Sequence, residues 1–436
     1  MITRLITRLG TIWHGVRTSL WALPLTMVFA ACGLAYAALH VDVGLGGSSV
    51  WFLFSGGSDQ APQFLSNLVT AMITMATLVV SITMVVLTLA AQQLGPRLIR
   101  SFMSDRRTQT TLGLFVGTVV YLLLVLRNTY GQTESVPNLA VTGGTALVLV
   151  CVATLIFFVH HLAQSIIADN VIDRVGAQLD ADIARLLPAE TAEQPESPAN
   201  VDRRGAPVHL AHGGYVQAVD FQGIVNAAAQ ADAVVELDIR AGHHAVPGRV
   251  VAHVVPKKAE EDGALRQAIQ NAVVVGRERT SVQDLEFSVR QLVEIALRAL
   301  SPGINDPYTA NAVVDRLTLS IAHMMTRGEA RSVWPDENGK VRLVTPVSTF
   351  EGVTDEAFNQ IRQQALPAVL IRMADNIGAL LEQADEVHRP ALEKHLKLVV
   401  DAGHRCIAAK EDLAVLHARA KEAEQNGKTS GKRARG

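Results

Sequence analysis

Residues 64–91 read FLSNLVTAMITMATLVVSITMVVLTLAA, 28 residues without one charged side chain. As a helix this stretch is about 42 Å long, against a hydrocarbon thickness of about 30 Å. Such a run spans a bilayer with some tilt. Three further runs flank it. Residues 20–39 are uncharged, with Trp13 and Trp21 near one end and Tyr36 near the other, where amphipathic rings favour the interface. Pro24 falls in the first turn, where a missing amide proton is tolerated. A cleaved secretory signal is the competing reading of this run, but its apolar core is long and no small-residue cleavage site follows. Residues 111–126 form a shorter span that draws on Thr108 to Thr110, and residues 139–158 a fourth that continues as helix through His160 and His161.

Charge then orients the spans. Arg4, Arg8 and Arg17 precede the first, and Arg97, Arg100, Arg106 and Arg107 lie between the second and third. The opposite connections hold Asp42 and Asp59 with no Lys or Arg, or Arg127 as the sole cation. Cations in short loops stay on the cytoplasmic side, so a multi-pass protein of the bacterial inner (plasma) membrane with both termini cytoplasmic is expected.

The rest of the 436 residues is far more polar, although the whole chain is 49% hydrophobic, 18% charged and has a mean hydropathy of +0.23. A net charge of −2 gives no global attraction to nucleic acid, and none is expected as a partner. Cys32, Cys151 and Cys406 are too few and too scattered for a disulfide framework or a zinc cluster. No cofactor, catalytic residue or metal site is expected.

The predicted fold class is a membrane α-helical domain of about four transmembrane helices followed by a cytoplasmic α+β domain. The expected boundaries are 1–165 for the spans and 166–187 for a helical extension in which Ile167, Val171, Val175, Leu179, Ile183 and Leu186 make one apolar stripe continuing out of the membrane. A Pro/Ala/Glu-rich linker follows at 188–207, a small β-rich module at 208–260, a mostly helical part at 261–423 and a disordered basic tail at 424–436. Within the module, residues 214–220, 234–240 and 249–254 read as strands and 221–231 as a helix. His243 and His244 sit on a turn and read as solvated. Residues 333–344 form a hairpin turning at Asn338-Gly339, and two long helices are expected at 355–381 and 390–423.

Two sets of residues are candidates for function. In the second span Asn67, Thr70, Thr74, Thr77, Ser81, Thr88 and Gln92 recur at helical steps and make a polar stripe. Either it lines a water-filled path, or it packs helices closely across a dry interface. Gly113 with Gly117, and Gly143 with Gly144, read as packing sites. In the second half, Thr280 or Ser281 is expected to cap a helix, with Gln283 or Asp284 closing the box. Ser301-Pro302-Gly303 ends that helix, and Asp306-Pro307 starts another as N-cap and first residue. Glu278, Arg279, Gln283, Asp284, Asn305, Asp306 and Tyr308 converge if these two helices pack antiparallel across their short loop. Such a cluster either binds a small polar ligand or a cation, or locks the helix pair through caps and salt bridges.

Gly276-Arg-Glu-Arg-Thr280, Gln283-Asp284 and the run from Ala299 to Ala310, together with Leu94-Gly-Pro-Arg97, Phe102, Asp105, Gln109 and the 112–127 span, resemble a family of bacterial predicted membrane proteins, domain of unknown function 2254. The likeness covers roughly residues 10–420. It implies an inner-membrane protein with about four spans and a cytoplasmic domain, and it implies no activity. From the stripe, the expected function is an oligomeric channel or channel-like protein with the cytoplasmic domain assembling or gating it. The alternative is a membrane-anchored sensor or scaffold that binds a ligand or protein. The lipid bilayer and further copies of the chain are the expected partners, with a small ligand or ion in addition.

Overall fold

A computed structural model describes residues 21–45, 54, 60–93, 105–130, 136–190, 205–260 and 263–433. The chain divides into two compact units, residues 1–170 and 171–436.

The first unit holds α1 (Ala22–Leu45), α2 (Gln60–Gln93), α3 (Arg106–Thr129) and α4 (Asn138–Ser165). All four are long and apolar enough to cross a membrane. The arginines at 4, 8, 17, 97 and 100, Trp13 and the Leu94-to-Phe102 likeness lie outside the described residues. The shortest span foreseen from sequence, α3, packs against all three others and is the most buried of the four, with more than half of it buried. Asp105 caps it, accepting from the Thr108 amide and hydroxyl at 3.2 and 2.9 Å.

Its glycines explain the centrality. A Cβ on Gly113 would stand 2.6 Å from the Met27 sulfur and 2.9 Å from the Pro24 Cα, and on Gly117 3.4 Å from the Ala31 Cβ. A Cβ on Gly144 of α4 would stand 2.7 Å from Leu122. Missing side chains let the backbones close up where apolar lipid gives helices no hydrophobic reason to associate. Tyr121, fully buried on α3, donates its hydroxyl to the Ala140 carbonyl at 2.9 Å.

The expected continuous helix from the fourth span outward is broken. The α4 helix stops at Ser165 and α5 (Ala168–Leu186) starts anew. The freed carbonyls of the last turn find local donors: the Ser165 hydroxyl bonds the Leu162 carbonyl at 2.8 Å, and the Asn170 amide bonds that of Gln164 at 2.8 Å.

In the second unit α5 buries Val171, Val175, Leu179 and Ile183. Asp182, 1% exposed, accepts from Ser288, and Asp180 accepts from Arg316 and Ser320. Two sheets follow. The first uses β1 (Ala206–His209), β3 (Val234–Leu237), β5 (Val250–Val255), β7 (Val333–Pro335) and β8 (Val341–Val344) in the order β1-β5-β3-β8-β7, antiparallel except between β3 and β8. The second has β2 (Gly214–Val219) between β4 (His244–Ala245) and β6 (Val273–Gly276). Helices α6 (Phe221–Gln230) and α7 (Ala264–Ala272) share their core, with Ile224, Val235, Val254, Ile269 and Leu343.

The β part therefore does not close at residue 260. Leu343 is fully buried where β8 pairs with β3, in a hairpin that begins at Val333, 78 residues after the end of β5 at Val255. The turn itself is as expected, with Gly339 at φ +79° and the Asp336 carboxylate receiving the Asn338 and Lys340 amides. The linker expected at 188–207 lies mostly outside the described residues, and β1 already begins at Ala206.

The helical part comprises α8 (Leu285–Ala299), α9 (Pro307–Met325), α10 (Phe350–Gln364), α11 (Pro367–Gln383), α12 (Arg389–Cys406) and α13 (Lys410–Arg433). The two long helices expected after residue 355 are four. Pro367 has no amide to continue a helix, so it opens α11 instead. Near Ile407 the chain folds back so that Leu416 lies on Gly403, where a Cβ would approach to 2.2 Å. Residues 424–433, expected as a disordered tail, continue α13.

Gly113→Leu is expected to lower the thermal midpoint of the purified full-length protein by several degrees, since overpacking of this kind costs about 1–3 kcal/mol. Gly33→Leu, at a position with open space around it, serves as the control and should leave the midpoint within about a degree.

Candidate functional site

The polar stripe of α2 faces away from its own bundle: Asn67, Thr70, Thr74, Thr77, Ser81, Thr88 and Gln92 are all exposed. The threonine hydroxyls are already occupied. Thr70, Thr74, Thr77 and Thr88 donate to the carbonyls of Ser66, Thr70, Ile73 and Met84 at 2.8–3.0 Å, each four residues back. No path runs inside the bundle along these side chains, because the bundle packs on the opposite face through Leu65, Val69, Met72 and Val79.

The second candidate set does not converge. Fifteen residues of α8, about 22 Å of helix, separate its two halves. At the far end Asp306 caps α9, accepting from the Tyr308 and Thr309 amides at 3.0 and 3.1 Å and from the Thr309 hydroxyl at 2.6 Å. That hydroxyl, first among the donors, holds its carboxyl below the usual range. Asn305 takes a left-handed turn at φ +52° and is exposed, and the Tyr308 ring is 84% exposed. No ligand or cation can be held between Asn305 or Asp306 and the residues at 278–284.

At the near end the residues do assemble. Gln283 acts as an extra rung on β2, accepting from the Val219 amide at 2.8 Å and donating to its carbonyl at 3.1 Å. Glu278 is exposed, and its carbonyl accepts from Gln217 at 2.8 Å. Asp284 occupies the cap position of α8 but makes no capping bond; neither Thr280 nor Ser281 caps the helix. The carboxylate instead takes two contacts from Arg279, Nε at 2.7 Å and Nη2 at 2.6 Å on the same oxygen. Asp284 is completely buried and its other oxygen, Oδ1, has no partner among the described residues. Burial pushes its carboxyl up, against the pull of Arg279. A second pair lies beside the first: Arg240 Nη2 meets Glu286 Oε1 at 2.6 Å.

Gly242 makes room for this. At φ +88° it turns the β3–β4 connection over the ion pair, where a Cβ would stand 2.4 Å from Asp284 Oδ2 and 2.5 Å from Arg279 Nη2. The turn brings His243 and His244 with it. His243 is half-buried rather than solvated, and desolvation first, then Arg240, keeps its imidazole below the usual range and so neutral at pH 7.

Arg279, Glu286, Gly242, His243 and His244 wall a cavity of about 850 Å³ that also meets Tyr215, Asp238, Arg249, His253 and Arg290. The Arg290 guanidinium is held by Glu356 at 3.0 Å, and His253 faces Asp238 at 3.3 Å. Among the described residues the exposed Arg249 guanidinium has neither an ion pair nor a hydrogen bond. Of the nine residues named here as its polar lining, only Arg279 belongs to the set foreseen from sequence. Glu286, two positions after Asp284, and Arg240, two before Gly242, carried a weak signal in their spacing. Arg249 and Arg290 carried none, because only the fold brings the residue before β5 and the first turns of α8 to one cavity.

Arg279→Met is expected to lower unfolding free energy by about 3–5 kcal/mol at pH 8 by leaving the Asp284 carboxylate buried and alone. The loss should shrink toward pH 5, where the stranded group takes up a proton. Denaturant unfolding at the two pH values measures this.

A family described as predicted membrane protein (DUF2254) matches residues 17–377. Uncharacterised proteins of Mycobacterium bovis and of Mycobacterium tuberculosis strain H37Rv are each 31% identical over 427 residues, covering 95% of this chain and 82% of theirs. No solved structure matches. With its glycine-packed four-helix unit and its Gly276-to-Ala310 hallmark, the chain belongs to the DUF2254 family of predicted membrane proteins.

Proposed function

We propose that this is a membrane-anchored binding protein whose second unit takes up a small acidic ligand in the cavity around Arg249, Arg279 and Arg290. The carrying observation is the cavity's charge. Three guanidiniums face two carboxylates, Asp238 and Glu286, beside imidazoles that include the neutral His243, and Arg249 has no counter-ion among the described residues. The cavity wall has no serine, threonine, cysteine or lysine among the described residues, which favours binding over turnover. Arg106 and Arg107 stand at the α4-exit end of the bundle, so the positive-inside rule favours a cytoplasmic second unit.

A panel of small carboxylates and inorganic phosphate, tested by thermal shift on the full-length protein, checks the reading. At least one acid should raise the midpoint by a few degrees, as expected at about 100 times its Kd. Arg249→Ala and Val246→Trp, both at exposed wall positions, should abolish the shift. A shift that survives both, or none across the panel, overturns it.

The exposed stripe of α2 favours a second reading, a channel formed only where several copies bring their α2 helices to a common axis. In liposomes, ion flux should then fall several-fold on Thr77→Leu with Ser81→Leu. Flux that is absent or unchanged removes this reading.

A further inference from the structure

We propose that the open end of the α3–α4 pair binds the phosphodiester of an anionic phospholipid headgroup. A cavity of about 540 Å³ lies there, and Arg106, Arg107, His160, His161 and Gln164 form its polar rim. The lining contains no carboxylate. The nearest, Asp105, is spent on Thr108 and on His161 Nε2 at 2.9 Å. Arg107 Nη1 approaches the other ring nitrogen of His161 at 3.5 Å, leaving its remaining guanidinium donors free to turn outward. Arg106 and His160 are exposed, and their side chains make no hydrogen bond or ion pair among the described residues. Of the three wall hydroxyls Thr111 is buried, and Thr110 and Thr154 donate to the Arg106 and Val150 carbonyls at 2.7 and 2.8 Å. The donors at the rim are thus guanidinium and imidazole N–H groups together with the Gln164 side-chain amide, which suit an acceptor-only phosphate.

The depth of each group selects lipid over a soluble phosphate. Phe157 lies three residues, about 4.5 Å of helix, further into the span than His160. Its ring is 74% exposed beside Ile156 at 68%. A cationic rim about one turn above an unpartnered aromatic wall matches a headgroup phosphate followed by acyl chain. Basic pockets between spanning helices hold anionic headgroups in this way.

The test uses full-length protein in a neutral detergent, titrated with phosphatidylglycerol, phosphatidylcholine or inorganic phosphate and read by native mass spectrometry. Phosphatidylglycerol should bind more tightly than phosphatidylcholine. Arg106→Gln should weaken it about fivefold, and Arg107→Gln about fivefold again, from roughly 1 kcal/mol for each cation. Arg127→Gln, the same change at the opposite end of α3, should leave it unaltered. Arg106 holds no described group, so its variant tests the site without unsettling the fold. Equal binding of the two lipids, an equal loss on Arg127→Gln, or full displacement by inorganic phosphate at equal concentration would overturn the proposal. Failure at Arg249 in the second unit bears on neither arm.

Discussion

Hydrocarbon offers no hydrogen-bond partner, and the first unit is ordered by that lack. Every polar group on its helices must be satisfied by the chain or reach the interface. The threonines of α2 meet the requirement singly, each hydroxyl turned back onto its own helix. The polar residues of α3 meet it collectively. Thr108, Gln109, Thr111 and Thr118 are buried because the other three helices surround them, and Thr118 reaches the Cys151 sulfur at 3.3 Å. The span with most to hide becomes the hub, and its glycines let the neighbours come close enough to hide it.

Water changes the terms in the second unit, where a buried charge is the comparable constraint. Asp284 is out of solvent, and among the described residues Arg279 is the cation in contact with it. That commitment removes Asp284 from capping α8, demands glycine at 242, and swings His243 inward. A cavity wall results from residues whose first task is to neutralise one another. Such an arrangement is expensive as a stabilising device. It holds donors rigidly around a space, which is what recognition of a small charged molecule requires.

The apolar runs made the membrane unit legible, because a span is a local property of about twenty residues. Glycine pairs and the Asn338-Gly339 and Asp306-Pro307 signals were legible for the same reason. What escaped depends on distant partners. Periodicity carried a helix across Ser165, where Asn170 and the Ser165 hydroxyl supply alternatives to helical bonding. It also carried one across Pro367, against the missing amide. The pairing of β8 with β3, and the meeting of Arg249 and β5 with Glu286 and Arg290 around one cavity, left no trace in either segment's own pattern, and with them went most of the cavity. The α2 stripe was visible, but its exposure was not, since seven residues cannot say which face the bundle leaves open.

The Gly276-to-Ala310 stretch reads as one motif, yet its two ends do separate work. A helix of fifteen residues cannot fold back within itself, so residues at 278–286 and at 305–308 stand about 22 Å apart. The first end is tied to β2 through Gln283 and to the cavity through Arg279. The second sets a turn, with Asn305 in the left-handed region and Asp306 as cap, that reverses the chain and lays α9 along α8. The turn fixes α9, and α9 receives Asp180 of α5 through Arg316 and Ser320, while α8 receives Asp182 through Ser288. The hallmark thus joins the cavity wall at one end to the seat of α5 along its length. A ligand that tightened Arg279 and Glu286 would act on α8 itself, and α5 rests on that same helix.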